Sequence, residues 1–266
     1  MRSILTAILL ILAGAALPSE ERPGLLFRED WKELPAATPA TQEHVANPEL
    51  LLHRYGPGKD EIKKSHHDQP KDDPYYIWSG DCKGNWAVAL RHQEFFADLR
   101  GTAKVRWRAR QSGLRQLRVI IKLADGTWLV SDQSDGPSDT WREREFKIAE
   151  IRWRALNINT VVEGAWVEKP DLSRVDEVGF TDLMAGGGTP ASSRLDWIEV
   201  WAAARKRNGL NSSSLVYPSK DDKLVYVENF TTFLPTELNE LERPVGQGCI
   251  ASKLQPAPER VVMKRQ

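Results

Sequence analysis

Apolar and polar residues alternate strictly through Ala103-Lys104-Val105-Arg106-Trp107-Arg108-Ala109-Arg110. A period of two is the mark of a half-buried strand, because successive side chains point to opposite faces of a sheet. On a helix the same residues would be scattered around the surface. Leu117, Val119, Ile121 and Leu123 fall on one face of a second strand, with Arg118 and Lys122 opposite. Asp125-Gly126 follows, then Thr127-Trp128-Leu129-Val130, so these segments predict a hairpin. Further strands are predicted at Leu50 to Arg54, Trp86 to Leu90, Phe146 to Ile148, Val175 to Thr181 and Arg194 to Trp201. Leu50 to Arg54 stops at the turn formers Gly56-Pro57-Gly58, Val175 to Thr181 follows Lys169-Pro170-Asp171, and Arg194 to Trp201 follows Gly186-Gly187-Gly188-Thr189-Pro190. No long helical period with capping residues is present. Leu156 to Val162 is expected to hold a short turn of helix at most. Many short strands with Gly, Pro and Asp between them predict an all-β antiparallel sandwich or barrel from about Leu25 to Ala204.

The two ends read differently. Met1-Arg2-Ser3 is a short basic start, and Ile4 to Ala16 is apolar or small except for Thr6. Ala13-Gly14-Ala15 offers a small-x-small cleavage pattern. Residues 1–16 are therefore expected to be a signal peptide, too short to span a bilayer, and the product a secreted or periplasmic protein. From Arg205 the chain turns polar, and Pro218, Pro235, Pro244, Pro256 and Pro258 interrupt every apolar patch. Residues 205–266 are expected to be a poorly ordered extension, with one further strand between Leu224 and Phe233. Asn211-Ser212-Ser213 and Asn229-Phe230-Thr231 match the short glycosylation sequon.

Composition narrows the function. The 266 residues carry 37 Lys+Arg against 37 Asp+Glu, a formal net charge of zero. A dedicated nucleic-acid binder would be basic, so nucleic acid is not an expected partner. Two cysteines do not make a disulfide scaffold. Cys82 and Cys249 are read as unpaired thiols, with pairing the alternative. Neither a Gly-x-Ser-x-Gly elbow, a His-Glu-x-x-His pair nor a phosphate-binding glycine loop appears.

Val175-Asp176-Glu177-Val178-Gly179-Phe180-Thr181-Asp182 precedes a Gly-rich loop, and Arg194-Leu195-Asp196-Trp197-Ile198-Glu199-Val200-Trp201 follows it. With the opening Leu25-Leu26-Phe27-Arg28-Glu29-Asp30-Trp31, this resembles the first and closing strands of galactose-binding-like jelly rolls. That fold is used by many carbohydrate-binding modules and by secreted bacterial proteins of the same architecture. The resemblance covers about Leu25 to Ala204 and implies a structural calcium joining the first and last strands, held by Glu29 or Asp30 and by Asp196. Parity points the same way for Asp196: if Ile198 and Val200 face inward, so does its carboxylate, which then needs a cation or hydrogen-bond donors. Donors near a strand end are the alternative.

Chemistry suggests the remaining candidates. Lys104, Arg106, Arg108 and Arg110 form a one-sided basic stripe, and guanidinium forks suit carboxylates and sulfates, so Arg106 and Arg108 are candidate readers of an acidic polysaccharide. Cross-strand pairing with Glu143 and Glu145 is the alternative. Among the ten Trp, Trp107 with Trp197 or Trp201 is expected in the core. Trp128, Trp141 and Trp166 are candidate platforms for a sugar ring, Trp141 and Trp166 in loop-like contexts. The alternative is that each folds back onto the sandwich. Lys63 to Pro74, with His66-His67-Asp68, is read as a solvated loop that could become a binding loop beside Tyr75-Tyr76-Ile77-Trp78. The leading expectation is non-catalytic recognition of a glycan by Trp stacking and Arg contacts. A glycoside hydrolase or lyase on a sandwich scaffold, and a cell-envelope structural or interaction protein, are the alternatives.

Overall fold

The computed structural model describes residues 23–184 and 191–207, and the backbone of 225–228 and 261–264. The expected signal peptide, the Gly186 to Gly188 loop, both sequons, Cys249 and most of the expected extension lie outside the described residues.

Fourteen strands make up the first unit: β1 (Gly24–Glu29), β2 (Leu50–Tyr55), β3 (Lys63–Ser65), β4 (Tyr76–Trp78), β5 (Ala87–His92), β6 (Phe95–Asp98), β7 (Lys104–Gln111), β8 (Leu117–Leu123), β9 (Trp128–Asp135), β10 (Arg142–Lys147), β11 (Trp153–Asn157), β12 (Val162–Val167), β13 (Val175–Thr181) and β14 (Ser193–Lys206). Short 3-10 turns at Gln42–His44 and Ile148–Glu150 are the only helical elements among the described residues. The all-β antiparallel expectation holds. In the second unit, β15 (Val225–Glu228) pairs antiparallel with β16 (Val261–Lys264).

Two antiparallel layers form a sandwich. The first runs β10-β7-β14; the far edge of β14 is taken in turn by β4 and β1, and β3 lies beyond β4. The second runs β2-β5-β13-β8-β9-β11-β12. The long β14 leaves the first layer at its end and pairs with β6, which also touches β13.

Strand alternation places the core between the layers. Val105, Trp107, Leu195, Ile198 and Val200 of the first layer meet Val88, Val119, Ile121, Val178 and Phe180 of the second, all essentially inaccessible to water. A second apolar cluster covers the far side of the second layer. There Ala87, Ala89 and Ile120 lie under Tyr55, Trp128, Leu156 and Val161. Gly179 sits in that floor because no side chain fits: a Cβ would stand 2.0 Å from the Val88 carbonyl oxygen and 2.6 Å from Ala89 Cα.

Two expectations are corrected. Leu156 to Val162 holds no helical turn; it is the end of β11, a tight connection and the start of β12. Trp166, expected in a loop, lies on edge strand β12. Both were hidden by one irregularity. From Arg154↔Trp166 to Leu156↔Glu163 the register slips, so Gly164 and Ala165 together oppose Ala155, and the alternation in β12 breaks.

Candidate functional site

The outward side chains of the first layer form rows across the strands. In one row Glu145, Arg106, Glu199 and Arg28 are register neighbours on β10, β7, β14 and β1. Their charges alternate, and they bond accordingly. Arg106 Nη1 donates to Glu199 at 3.2 Å and Nη2 to Glu143 at 3.0 Å, while Arg28 Nη1 donates to Glu199 at 2.6 Å. Although burial opposes it, the Trp201 indole N–H and these guanidiniums hold the Glu199 carboxyl below its usual range. Arg108 donates to Asp196 at 2.7 Å and lies over the Trp141 ring. Arg106 and Arg108 are thus engaged within the sheet, as in the cross-strand alternative. They do not form the free anion-reading stripe expected of them.

Asp196 faces outward onto Arg108, not into the core, because β14 slips register between Leu195 and Trp197. Burial nevertheless pushes its carboxyl up, against the lowering effect of Arg108. Glu29 is fully buried, and both oxygens accept backbone amides: Trp31 at 2.8 Å, Ala46 at 2.7 Å and Asn47 at 3.0 Å. Asp30 is exposed and grips Arg28. Calcium needs six to eight oxygens with free lone pairs, whereas N–H donors occupy Glu29, Asp30 and Asp196. This donor set does not fit the expected calcium, and no cluster of metal-ligating side chains occurs among the described residues.

The three candidate Trp are not brought together. Trp128 is 7% exposed, part of the second apolar cluster and edge-on to Tyr55, so it is a core residue. Trp141 is half-buried beside Tyr76, immediately before β10. Only Trp166, 43% exposed, stands open. The bulge in β12 aims it to the same face as Arg154, its register partner, and the guanidiniums of Arg152 and Arg154 lie 4.6 Å from the ring centroid. Arg152 is largely in water and anchored by Asp132 at 3.1 Å; Arg154 is held by Glu163 at 3.0 Å.

Trp166 walls a groove of about 350 Å³, near the lower end of the range of ligand pockets. Trp153, Ile151, Val167 and Leu172 supply apolar lining, and Arg152, Glu168 and Lys169 the polar groups. The buried Trp153 Nε1 has no hydrogen-bond partner among the described residues. Lys169 adopts a φ of 48°, a left-handed conformation rare for a residue with a side chain.

Elsewhere the buried acids are already satisfied. Glu177 is held by His53 at 3.0 Å, Lys122 at 3.0 Å and Tyr55 at 2.9 Å, which together outweigh burial and keep its carboxyl below the usual range. Asp182 is bonded to Arg115 at 3.1 Å and Ser193 at 2.9 Å, although burial raises its pKa. Cys82 is a buried free thiol, pushed up to about 12 by burial. The His66 to Asp73 segment is ordered by contacts of its own: His66 stacks on Tyr75, and His67 Nδ1 lies 3.0 Å from both Asp73 and Tyr76.

No protein-family model matches the chain, and no curated protein matches it. Solved structures do. A family 11 carbohydrate-binding module from Clostridium thermocellum, in complex with a beta-1,3-1,4-mixed-linked tetrasaccharide, aligns at 14% identity and a TM-score of 0.40, over 65% of this chain and 98% of that one. A family 29 module complexed with mannohexaose aligns at 10% identity and 0.37, over 65% and 91%. The glycoside hydrolase domain of Endo-D from Streptococcus pneumoniae aligns at 12% and 0.31, over 57% of this chain and 21% of that one. At these identities and TM-scores the likeness assigns no ligand to this chain.

Proposed function

We propose that this protein binds a carbohydrate without cleaving it, in the groove beside Trp166. The observation that carries the reading is an indole left 43% exposed on a bulged edge strand, at the wall of a groove with polar groups at its margin. A sugar ring presents an apolar C–H face to stack on such an indole, and its hydroxyls need donors and acceptors around the rim. Arg152, Glu168 and Lys169 supply both kinds. Arg152 is the side chain that would yield to a ligand, because an exposed cation–π contact is worth only about 0.5–1 kcal/mol. Bulges are also a recurrent means of re-aiming a side chain at a site.

The hydrolase alternative is not favoured by the acids. A glycosidase needs two convergent carboxylates across a cleft. The buried acids named above each hold a donor already, and among the described residues Glu168 is the one carboxylate lining the groove.

The test is a binding screen of the chain against neutral and acidic polysaccharides, with Trp fluorescence and reducing-end release followed together. Saturable binding without new reducing ends is expected, weakened about tenfold in Trp166→Ala, since one well-placed aromatic contact is worth about 1–2 kcal/mol. Binding indifferent to Trp166→Ala would remove the groove from the argument. Release of new ends would make the protein an enzyme.

A further inference from the structure

One row on the first layer breaks the charge alternation that runs through Glu145, Arg106, Glu199 and Arg28. Arg110 of β7 stands in register with Arg194 of β14, Arg194 with Trp78 of β4, and Trp78 with Lys63 of β3. The flanking residues Ala109, Leu195 and Ile77 are core, so Arg110, Arg194 and Trp78 point outward. Lys63 lies over the Trp78 ring, its Nζ 5.3 Å from the centroid. Arg110, Arg194 and Lys63 form no ion pair among the described residues, unlike Lys104, Arg106 and Arg108 on the same face. Like charges directly opposite one another destabilise a sheet. Two rows along the same strands, Glu145, Arg106, Glu199 and Arg28 show how the same face neutralises its cations.

We infer that the row Arg110, Arg194 and Lys63, with Trp78 between them, binds the anionic groups of an acidic polysaccharide. Strands lie about 4.8 Å apart, so from β7 to β3 the row spans about 14 Å. That length suits successive carboxylates or sulfates on a polymer better than a single small anion. Guanidinium forks take such groups in bidentate fashion, and Trp78 gives the intervening ring a flat surface. The ring packs against Gly80, where a Cβ would stand 2.0 Å from it. A polysaccharide is favoured over nucleic acid because the whole chain has a formal net charge of zero and phosphate-backbone binding demands a basic protein. The inference does not depend on the Trp166 groove.

The experiment measures binding of the full chain to polygalacturonate, dextran sulfate, neutral dextran and duplex DNA over a salt series. The expected result is binding to one or both acidic polysaccharides, weakening with salt, with the tighter of the two naming carboxylate or sulfate as the anion. Arg110→Ala/Arg194→Ala should lower that affinity about tenfold, as loss of charge-assisted bonds does. A charge-matched control outside the row, Lys32→Ala/Lys59→Ala, should leave it within about twofold. Arg110→Gln/Arg194→Gln gives the same reading if the alanine variant folds poorly. Equal affinity for neutral dextran, a double variant that binds like the parent, or tighter binding to duplex DNA would each overturn the inference.

Discussion

Changing Arg194 from cation to neutral to anion should make the fold more stable at each step. Arg194 and Arg110 are register partners on adjacent strands, with no acid paired to either among the described residues. Directly opposed side chains stand about 5 Å apart. Two unit charges at that distance interact by about 0.8 kcal/mol in a water-like dielectric, and ordinary salt reduces this to roughly half. Arg194→Gln removes the repulsion, and Arg194→Glu replaces it with an attraction of similar size. The series should therefore gain about 0.4 kcal/mol and then about 0.8 kcal/mol over the parent at physiological salt. For a domain of this size that is about 2–3 °C in Tm for the Glu variant. Urea unfolding at low salt, at physiological salt and at 1 M salt is the assay. The gain should grow at low salt and nearly vanish at 1 M. A Glu variant less stable than the parent at low salt, or a gain indifferent to salt, would show that Arg110 and Arg194 do not repel. It would also remove the reason for expecting a ligand there. The same Arg194→Glu protein should lose affinity for acidic polysaccharide while it gains stability, and a purely structural arginine would not produce that opposition.

Two further perturbations test the scaffold. Glu29→Ala strips three backbone amides, one buried and two part-buried, of their acceptor and should cost about 3 kcal/mol in urea unfolding; a calcium chelator should leave the parent protein unchanged, and a chelator-induced loss of similar size would restore the metal reading. The Arg100 side chain beside Asp98, opposed by burial and helped by Arg205, brings that carboxyl down to about 2. A carboxyl lowered on folding contributes stability that is present above about pH 4 and lost as pH falls toward 2. Asp98→Asn should therefore cost about 1 kcal/mol near pH 7, discounted because both arginines are half in water. It should cost nothing near pH 2, and a pH-independent loss would contradict this assignment.

Part of this architecture is legible in the amino-acid sequence. The alternation from Ala103 to Arg110 fixes which side chains of β7 face the core, and Val175 to Thr181 matches β13 in full, because a strand writes its orientation locally with a period of two. The ligand-side features are written elsewhere. Strands β3 and β4 are three residues each, too short to show a period. The bulge at Gly164 and Ala165 spoils the alternation of β12, which hides the strand that carries Trp166. Outward direction can be read for Arg106, Arg108 and Arg110 alike. What separates them is the neighbour across the sheet, supplied by residues far along the chain. Glu199 lies 93 positions from Arg106, and Asp196 lies 88 from Arg108.

That distinction decides which arginines of one stripe are available. A guanidinium whose geometry is already met by Glu199 or Asp196 must break a charge-assisted bond before it can read a ligand, and its discrimination between ligand and water falls accordingly. Arg110 and Arg194 break nothing on binding; an anion arriving between them relieves a repulsion that the folded chain carries alone. On the far side of the second layer Trp128, Leu156 and Val161 pack over Ala87, Ala89 and Ile120. Recognition is thereby left to the places where the sandwich is locally incomplete. One is an edge strand whose bulge turns Trp166 outward, and the other is a sheet row whose charges lack their counterparts.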